Sequence, residues 1–203
     1  MYMDWILWIL LGYVVGSIPF ALVIGKVFYK TDVRNYGSKN LGGGNTGRVL
    51  GKKAGLAVMA LDLLKVTLVV FLTSHFGQGE YSVVLGGLAA AIGHCYPLFA
   101  RFQGGKAVAT MYGFLFGLML FADYSPWVFF LPLLVFLGVL YVGKIIALSS
   151  ICSAVVVTVY VYLTTDSFIT FLALLIFTLL IVVRHRKNLA RMLRHEENKI
   201  TWM

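Results

Sequence analysis

Apolar residues fall along this chain in seven long runs, each closed by a polar or Gly/Pro-rich cluster. The runs lie near residues 5–25, 55–74, 82–99, 108–122, 127–143, 145–163 and 168–183. Their lengths predict seven transmembrane helices, and hence an all-α integral membrane protein. Several runs are only about 15 to 18 residues long. Such helices serve by tilting, or through snorkelling of flanking residues, in a hydrocarbon core of roughly 30 Å.

The polar segments between the runs are of two kinds. Of the 17 Lys and Arg residues, 16 lie in alternate segments: residues 26–53, then Arg101 and Lys106, then Lys144, then residues 184–199. The segments between them hold Asp4, Glu80, Asp123 and Asp166 and no Lys or Arg. Cations accumulate in short cytoplasmic loops, so this alternation predicts an outside N-terminus and a cytoplasmic C-terminus. It also favours seven spans over six, because fusing two neighbouring helices would put a basic and an acidic segment on one side.

Composition agrees with the pattern. The chain is 60% hydrophobic and 12% charged, against roughly 25% charged in soluble proteins. The apolar runs are too many for a cleaved leader, which supplies one short apolar core. The net charge of +9 is accounted for by cytoplasmic loops and does not call for nucleic acid. Cys95 and Cys152 sit in apolar surroundings without metal-ligand spacing and are given no chemical role. The reading is of one multi-pass membrane domain, residues 1–203, with its chemistry on the cytoplasmic face.

Three cytoplasmic segments carry candidate chemistry. GSKNLGGGNTGR, residues 37–48, offers five glycines whose amides can converge on an anion, with Ser38, Asn40, Asn45 and Arg48 to complete a cradle. A flexible basic linker has the same composition. GHCYPLFARFQGGKAVAT, residues 93–110, sets Gly104, Gly105 and Lys106 before a new helix, where unpaired amides and the helix dipole favour phosphate. His94 is read either as part of this site or as an interfacial residue with a satisfied hydrogen bond. RHRKNLARMLRHEE, residues 184–197, is a juxtamembrane basic helix suited to anionic head groups. Within the second span, Asp62 and Lys65 stand i, i+3 and predict a structural ion pair, since an ionisable residue at membrane depth needs a partner.

Other chemistries find no support. GVLYVGKI at Gly138 has Walker A spacing but lacks the final Ser/Thr and lies within a span. No His is followed five residues later by Asp, as many acyl-CoA-dependent acyltransferases require. There is no zinc constellation, no cofactor motif, and no serine with an evident triad.

Taken together, the three segments resemble those of the bacterial acyl-phosphate:glycerol-3-phosphate acyltransferases, over almost the whole chain from Gly16 to Glu197. Gly37, Ser38, Asn40, Gly42, Asn45 and Arg48 match the family's Gly-Ser-Gly-Asn-x-Gly-x-Thr-Asn-x-x-Arg pattern. Gly93, His94, Pro97, Phe102, Gly104, Gly105, Lys106, Val108, Ala109 and Thr110 match the second motif. Arg184, His185, Arg186, Asn188, Arg191 and Glu197 match the third. Ser150 falls where the family has an active-site serine. Departures stand at Lys39 and Ala107, where the family has Gly, at Gly44 for Thr, at Gln103 for Lys, and at Ala147 for Ser.

The resemblance implies an enzyme that transfers a long acyl chain from acyl-phosphate to the sn-1 hydroxyl of glycerol 3-phosphate, giving lysophosphatidic acid and phosphate for phospholipid synthesis. No cofactor or metal is implied, and the partners are the two substrates and membrane lipid. Ser38, Asn40, Asn45, Arg48, Gly104, Gly105 and Lys106 are expected to bind phosphate. Ser150, His185, Asn188 and His94 are expected at the reacting groups. The departures leave open a non-catalytic paralogue that binds lipid intermediates. A carrier of small phosphorylated anions is the third reading, weakened by the lack of a convincing internal repeat.

Overall fold

The computed structural model describes residues 4–200, and these form two compact units, one up to Ala122 and one from Asp123 onward. The first unit contains α1 (Asp4–Gly16), α2 (Phe20–Tyr29), α3 (Gly43–Leu50), α4 (Lys52–Phe76), α5 (Gly79–Cys95) and α6 (Val108–Phe121). The second contains α7 (Trp127–Gly143), α8 (Ile146–Thr164), α9 (Phe168–Arg184) and α10 (Arg186–Leu193). Among the described residues, Asp4–Tyr29, α4, Gly79–Ala100 and α8 are long and apolar enough to cross a membrane. The α9–α10 pair, bent by 58°, makes a fifth such segment, and α6 and α7 are shorter apolar helices.

The helix expected over 5–25 is interrupted at residues 17–19. Pro19 has no amide hydrogen to donate, and it disfavours helical backbone at Ile18. The ladder therefore stops at Gly16 and restarts at Phe20, leaving the Ile18 carbonyl to another partner. The segment is held against α5 by small residues. A Cβ on Gly16 would strike the backbone of Ala90, and one on Gly12 the backbone of Gly86. Such small-residue seams let helices in lipid approach closely enough for backbone contact.

The loop expected over 37–48 contains a helix, α3, despite three glycines among its eight residues. Glycine costs about 1 kcal/mol relative to Ala inside a helix, so local propensity argues against α3. Tertiary packing supplies it: a Cβ on Gly43 would meet the Gly55 carbonyl, and one on Gly55 the Cα of Gly47, so α3 lies directly on the start of α4.

In the second unit, α7 ends at Lys144, whose left-handed backbone (φ 55°) caps the helix before α8 begins. The α8–α9 packing includes buried hydroxyls: Thr158 Oγ1 and Thr178 Oγ1 lie 2.9 Å apart, and Thr178 Oγ1 donates to the Ala154 carbonyl. α9 starts where Ser167 Oγ accepts the Thr170 amide at 3.1 Å, an N-cap.

Candidate active site

The first polar stretch of unit one is closed around Asn45, which is 2% exposed. Its Oδ1 accepts the Ser38 amide at 2.8 Å, and its Nδ2 donates to the carbonyls of Val33 (3.0 Å) and Tyr36 (3.3 Å). A planar amide carries an acceptor on one edge and two donors on the other, which suits it to tying a loop across three points. Asn45, expected to touch phosphate, is thus engaged with backbone. Gly37 takes φ 57°, and a Cβ there would press on Asn45 Oδ1. Lys39 takes φ 59°, so the position where the resembled pattern has Gly requires left-handed backbone here as well.

Gly42 precedes α3 in extended conformation, and its carbonyl accepts the amides of Asn45 and Thr46 and the Thr46 hydroxyl, each at 3.1 Å. The leading amides of α3 belong to Gly43 and Gly44, at the end of a helix that attracts anions. A Cβ on Gly44 would meet nothing within 4 Å, so the space beside this amide is open. Ser38 and Arg48 are exposed and Asn40 is half-buried. The only carboxylate of residues 31–51 is Asp32, whose oxygens accept from the Arg34 amide and Nε (3.0 Å each) and from Nη2 (2.6 Å). These bonds hold the Asp32 carboxyl at about 2, below its ordinary 3.8.

The second stretch, residues 96–107, is folded against the end of α5. The Gly105 amide donates to the His94 carbonyl at 3.0 Å. A Cβ on Gly104 would collide with that same carbonyl and with Pro97, and one on Gly105 would fall on the His94 imidazole. The two glycines are therefore demanded by close packing. Lys106, half-buried, comes next. Ala107 then takes φ 62° as the N-cap of α6, and its carbonyl accepts the Met111 amide at 2.8 Å and the Thr110 hydroxyl at 3.0 Å. The two stretches share one apolar cluster, in which Leu41 from the first and Ala100 from the second join Val33, Val58, Ala21 and Leu22.

His94 itself is 6% exposed and meets the expected Asp62–Lys65 pair. Lys65 Nζ lies 2.8 Å from Asp62 Oδ1, 2.9 Å from the Ile18 carbonyl and 3.2 Å from His94 Nδ1. His94 Nδ1 is 3.4 Å from Asp62 Oδ1. The i, i+3 spacing disclosed the pair. The third member, 29 residues further on, carries no local signal.

The remaining candidates lie in unit two. Ser150 is fully buried in α8, and its hydroxyl donates to the Ile146 carbonyl at 2.8 Å. His185 is 3% exposed at the α9–α10 joint, with Nδ1 2.8 Å from the Ile181 carbonyl. A ring nitrogen at that distance from a carbonyl carries the proton, so Nε2 is the acceptor of the neutral ring. Asn188 Nδ2 donates to Glu197 Oε1 at 2.6 Å, and Arg191 Nε donates to Glu197 Oε2 at 2.7 Å. Glu197, to which sequence reasoning assigned no task, therefore fixes the amide orientation of Asn188.

Residues 6–195 match the family model described as glycerol-3-phosphate acyltransferase. A glycerol-3-phosphate acyltransferase of Geobacillus kaustophilus is 46% identical over 195 residues, 96% of this chain and 95% of that protein. One from Staphylococcus haemolyticus is 39% identical over 203 residues, 96% of this chain and 97% of its own length. The crystal structure of PlsY (YgiH), an integral membrane glycerol 3-phosphate acyltransferase, in its glycerol 3-phosphate form superposes with a TM-score of 0.89 at 33% identity. That alignment covers 97% of this chain and 96% of PlsY. The lysophosphatidic acid form gives 0.86 at 32% identity, covering 97% and 95%.

Proposed function

This chain belongs to the glycerol-3-phosphate acyltransferase family, and we propose that its acyl donor is an acyl-phosphate and its acceptor the sn-1 hydroxyl of glycerol 3-phosphate. It is a multi-pass bacterial membrane enzyme of phospholipid synthesis. We read residues 1–203 as one catalytic domain with seven spans, the N-terminus outside and the active loops cytoplasmic, on the strength of the Lys/Arg alternation.

The observation that carries the reading is the pairing of two donor-rich stretches on one apolar cluster through Leu41 and Ala100. Both substrates carry phosphate, so two anion cradles are needed. Ser38, Arg48 and the leading amides of α3 supply one, with Asn40 beside them and Asn45 setting the loop's shape. Lys106 and the amides at the start of α6, behind Gly104 and Gly105, supply the other. With Asp32 bound to Arg34, no carboxylate in this stretch competes for the cations.

The step is direct acyl transfer. The acceptor hydroxyl oxygen attacks the acyl carbonyl carbon, the bond from that carbon to the phosphate oxygen breaks, and phosphate leaves carrying the hydroxyl proton. Acyl-phosphate is already activated, so positioning and charge stabilisation supply the catalysis. Ser150, His185 and Asn188 orient the acceptor or polarise the carbonyl. The Ser150 hydroxyl proton is committed to Ile146, which suits an orienting role better than a nucleophilic one.

The test is purified protein in detergent given acyl-phosphate and glycerol 3-phosphate, with release of inorganic phosphate and lysophosphatidic acid both measured. Acyl-CoA and acyl carrier protein thioesters serve as alternative donors. Lysophosphatidic acid from the thioesters alone rejects the acyl-phosphate donor, and absence of both products from every donor rejects catalysis.

A further inference from the structure

No step above uses Asp62, Lys65 or His94, the last of which the resemblance puts at the reacting groups, yet their cluster joins four parts of unit one at a single point. Asp62 and Lys65 come from α4, His94 from the end of α5, the Ile18 carbonyl from the break between α1 and α2, and Gly105 from the phosphate loop. An ammonium has three donors and no acceptor. Here Asp62 Oδ1 and the Ile18 carbonyl accept from it, and His94 Nδ1 lies 3.2 Å away. His94 Nδ1 is thus held between the Lys65 ammonium and, at 3.4 Å, the Asp62 carboxylate, and the opposite edge of the ring, at Nε2, faces Gly105.

The consequence is mechanical. The break at Pro19 exposes a carbonyl that fixes the ammonium, the ammonium fixes the imidazole, and the imidazole is the surface on which Gly105 rests. The His94 carbonyl fastens the same loop from the other side by accepting the Gly105 amide. Lys106 follows directly, so its ammonium and the first amides of α6 are aimed by how Gly105 is seated. Buried polar networks that are fully satisfied are rigid, and rigidity is what an anion site built from backbone amides requires.

We propose that Lys65 is a positioning residue for the phosphate loop formed by residues 104–106: acting through His94, it holds that loop in its binding conformation without touching substrate. The inference rests on the phosphate-binding role proposed above for Lys106. Removing Lys65 should therefore weaken capture of one phosphate-bearing substrate while leaving the chemical step intact. That separates it from a direct catalytic role, which would lower kcat, and from a purely structural one, which would move stability and every kinetic parameter together.

The experiment is steady-state kinetics of Lys65→Met, Lys65→Arg and wild type in detergent, varying each substrate in turn, with thermal unfolding measured alongside. Lys65→Met is expected to raise KM for one of the two substrates tenfold or more with kcat within about threefold, and Lys65→Arg to recover part of the loss. Should Lys65→Met fail to fold, the coupling is read instead from Gly105→Ala, His94→Ala and the double variant. The added methyl in Gly105→Ala collides with the imidazole, so its KM defect should be smaller when His94 is also Ala. A fall in kcat at unchanged KM, unaltered kinetics in Lys65→Met, or additive effects in the double variant overturns the inference while leaving the acyltransferase reading in place. Wild type that makes no lysophosphatidic acid from any donor removes both.

Discussion

Asn45 Oδ1 accepts the amide hydrogen of Ser38 at 2.8 Å, and this one bond closes the first polar stretch so that Ser38 and the start of α3 belong to a single loop. Replacing Asn45 with Ala removes this bond and both Nδ2 bonds, of which the one to the Val33 carbonyl is buried and those to Ser38 and Tyr36 are part-buried. The cost expected is about 1–3 kcal/mol, which at roughly 2–4 °C per kcal/mol for a chain of this size lowers Tm by several degrees. Activity should fall in the same variant. Thermal unfolding in detergent, run beside the phosphate-release assay, checks both, and an unmoved Tm would sink the scaffolding role.

Arg48 gives the contrasting case. Its side chain is exposed, so Arg48→Ala should leave Tm within a degree or two of wild type. The proposed site would nonetheless hold a phosphate with no cation to answer it, and activity should be lost; the same holds for Lys106→Ala. Membrane insertion and yield should match wild type. Near-normal turnover in either variant contradicts the placement of phosphate at these residues.

Much of this arrangement is legible in the sequence, and what is not has identifiable physical causes. The boundary between α7 and α8 shows in the Gly143-Lys144 pair, because a lone cation between two apolar runs must reach a membrane surface. Pro19 is equally plain, and a helix drawn through it from 5 to 25 neglects the missing amide hydrogen. α3 is another matter. Its glycines argue against a helix, and only the close approach of Gly43 and Gly47 to Gly55 stabilises it. The Asp62–Lys65 pair follows from spacing on one helix, while its link to His94 depends on how α4 meets α5. Glycines 104 and 105 look like flexible phosphate-loop residues in the sequence, and the structure supplies a second reason for them, the His94 ring and carbonyl.

Lys39 and Ala107, two of the departures from the resembled pattern, both occupy left-handed backbone, with φ of 59° and 62°. An L-residue there costs roughly 1–2 kcal/mol relative to glycine. Lys39→Gly and Ala107→Gly should each be neutral to stabilising, by about 1 kcal/mol, or a Tm gain of roughly 2–4 °C. Differential scanning fluorimetry of the two single variants is sufficient. A clear loss of stability in Ala107→Gly would show that its methyl packs more favourably than its backbone is strained.

Asp32 makes acid stability of the first loop predictable in sign. Its carboxyl is held at about 2 by hydrogen bonds from Arg34, against an ordinary 3.8. A depressed carboxyl contributes stability at pH above the unfolded value and loses that contribution as pH falls through the folded one. The Asp32→Asn variant keeps the shape and lacks the charge. The Tm difference between wild type and Asp32→Asn should therefore be constant above about pH 5, shrink between pH 4 and 2, and vanish below. A difference that grows on acidification would mean that the Arg34 pairing is not what the carboxylate contributes.

Direct transfer makes a prediction about Ser150. Its hydroxyl proton is donated to Ile146 within α8, so attack on a carbonyl would require breaking that bond and handing the proton to a base. Ser150→Ala should therefore slow turnover without changing the kinetic form. In wild type, rapid-quench experiments with acyl-phosphate alone should release no stoichiometric burst of phosphate, and intact-mass spectrometry should find no acylated protein. A burst equal to the enzyme concentration, with an acyl adduct mapped to Ser150, would replace direct transfer by a two-step route through an acyl-serine.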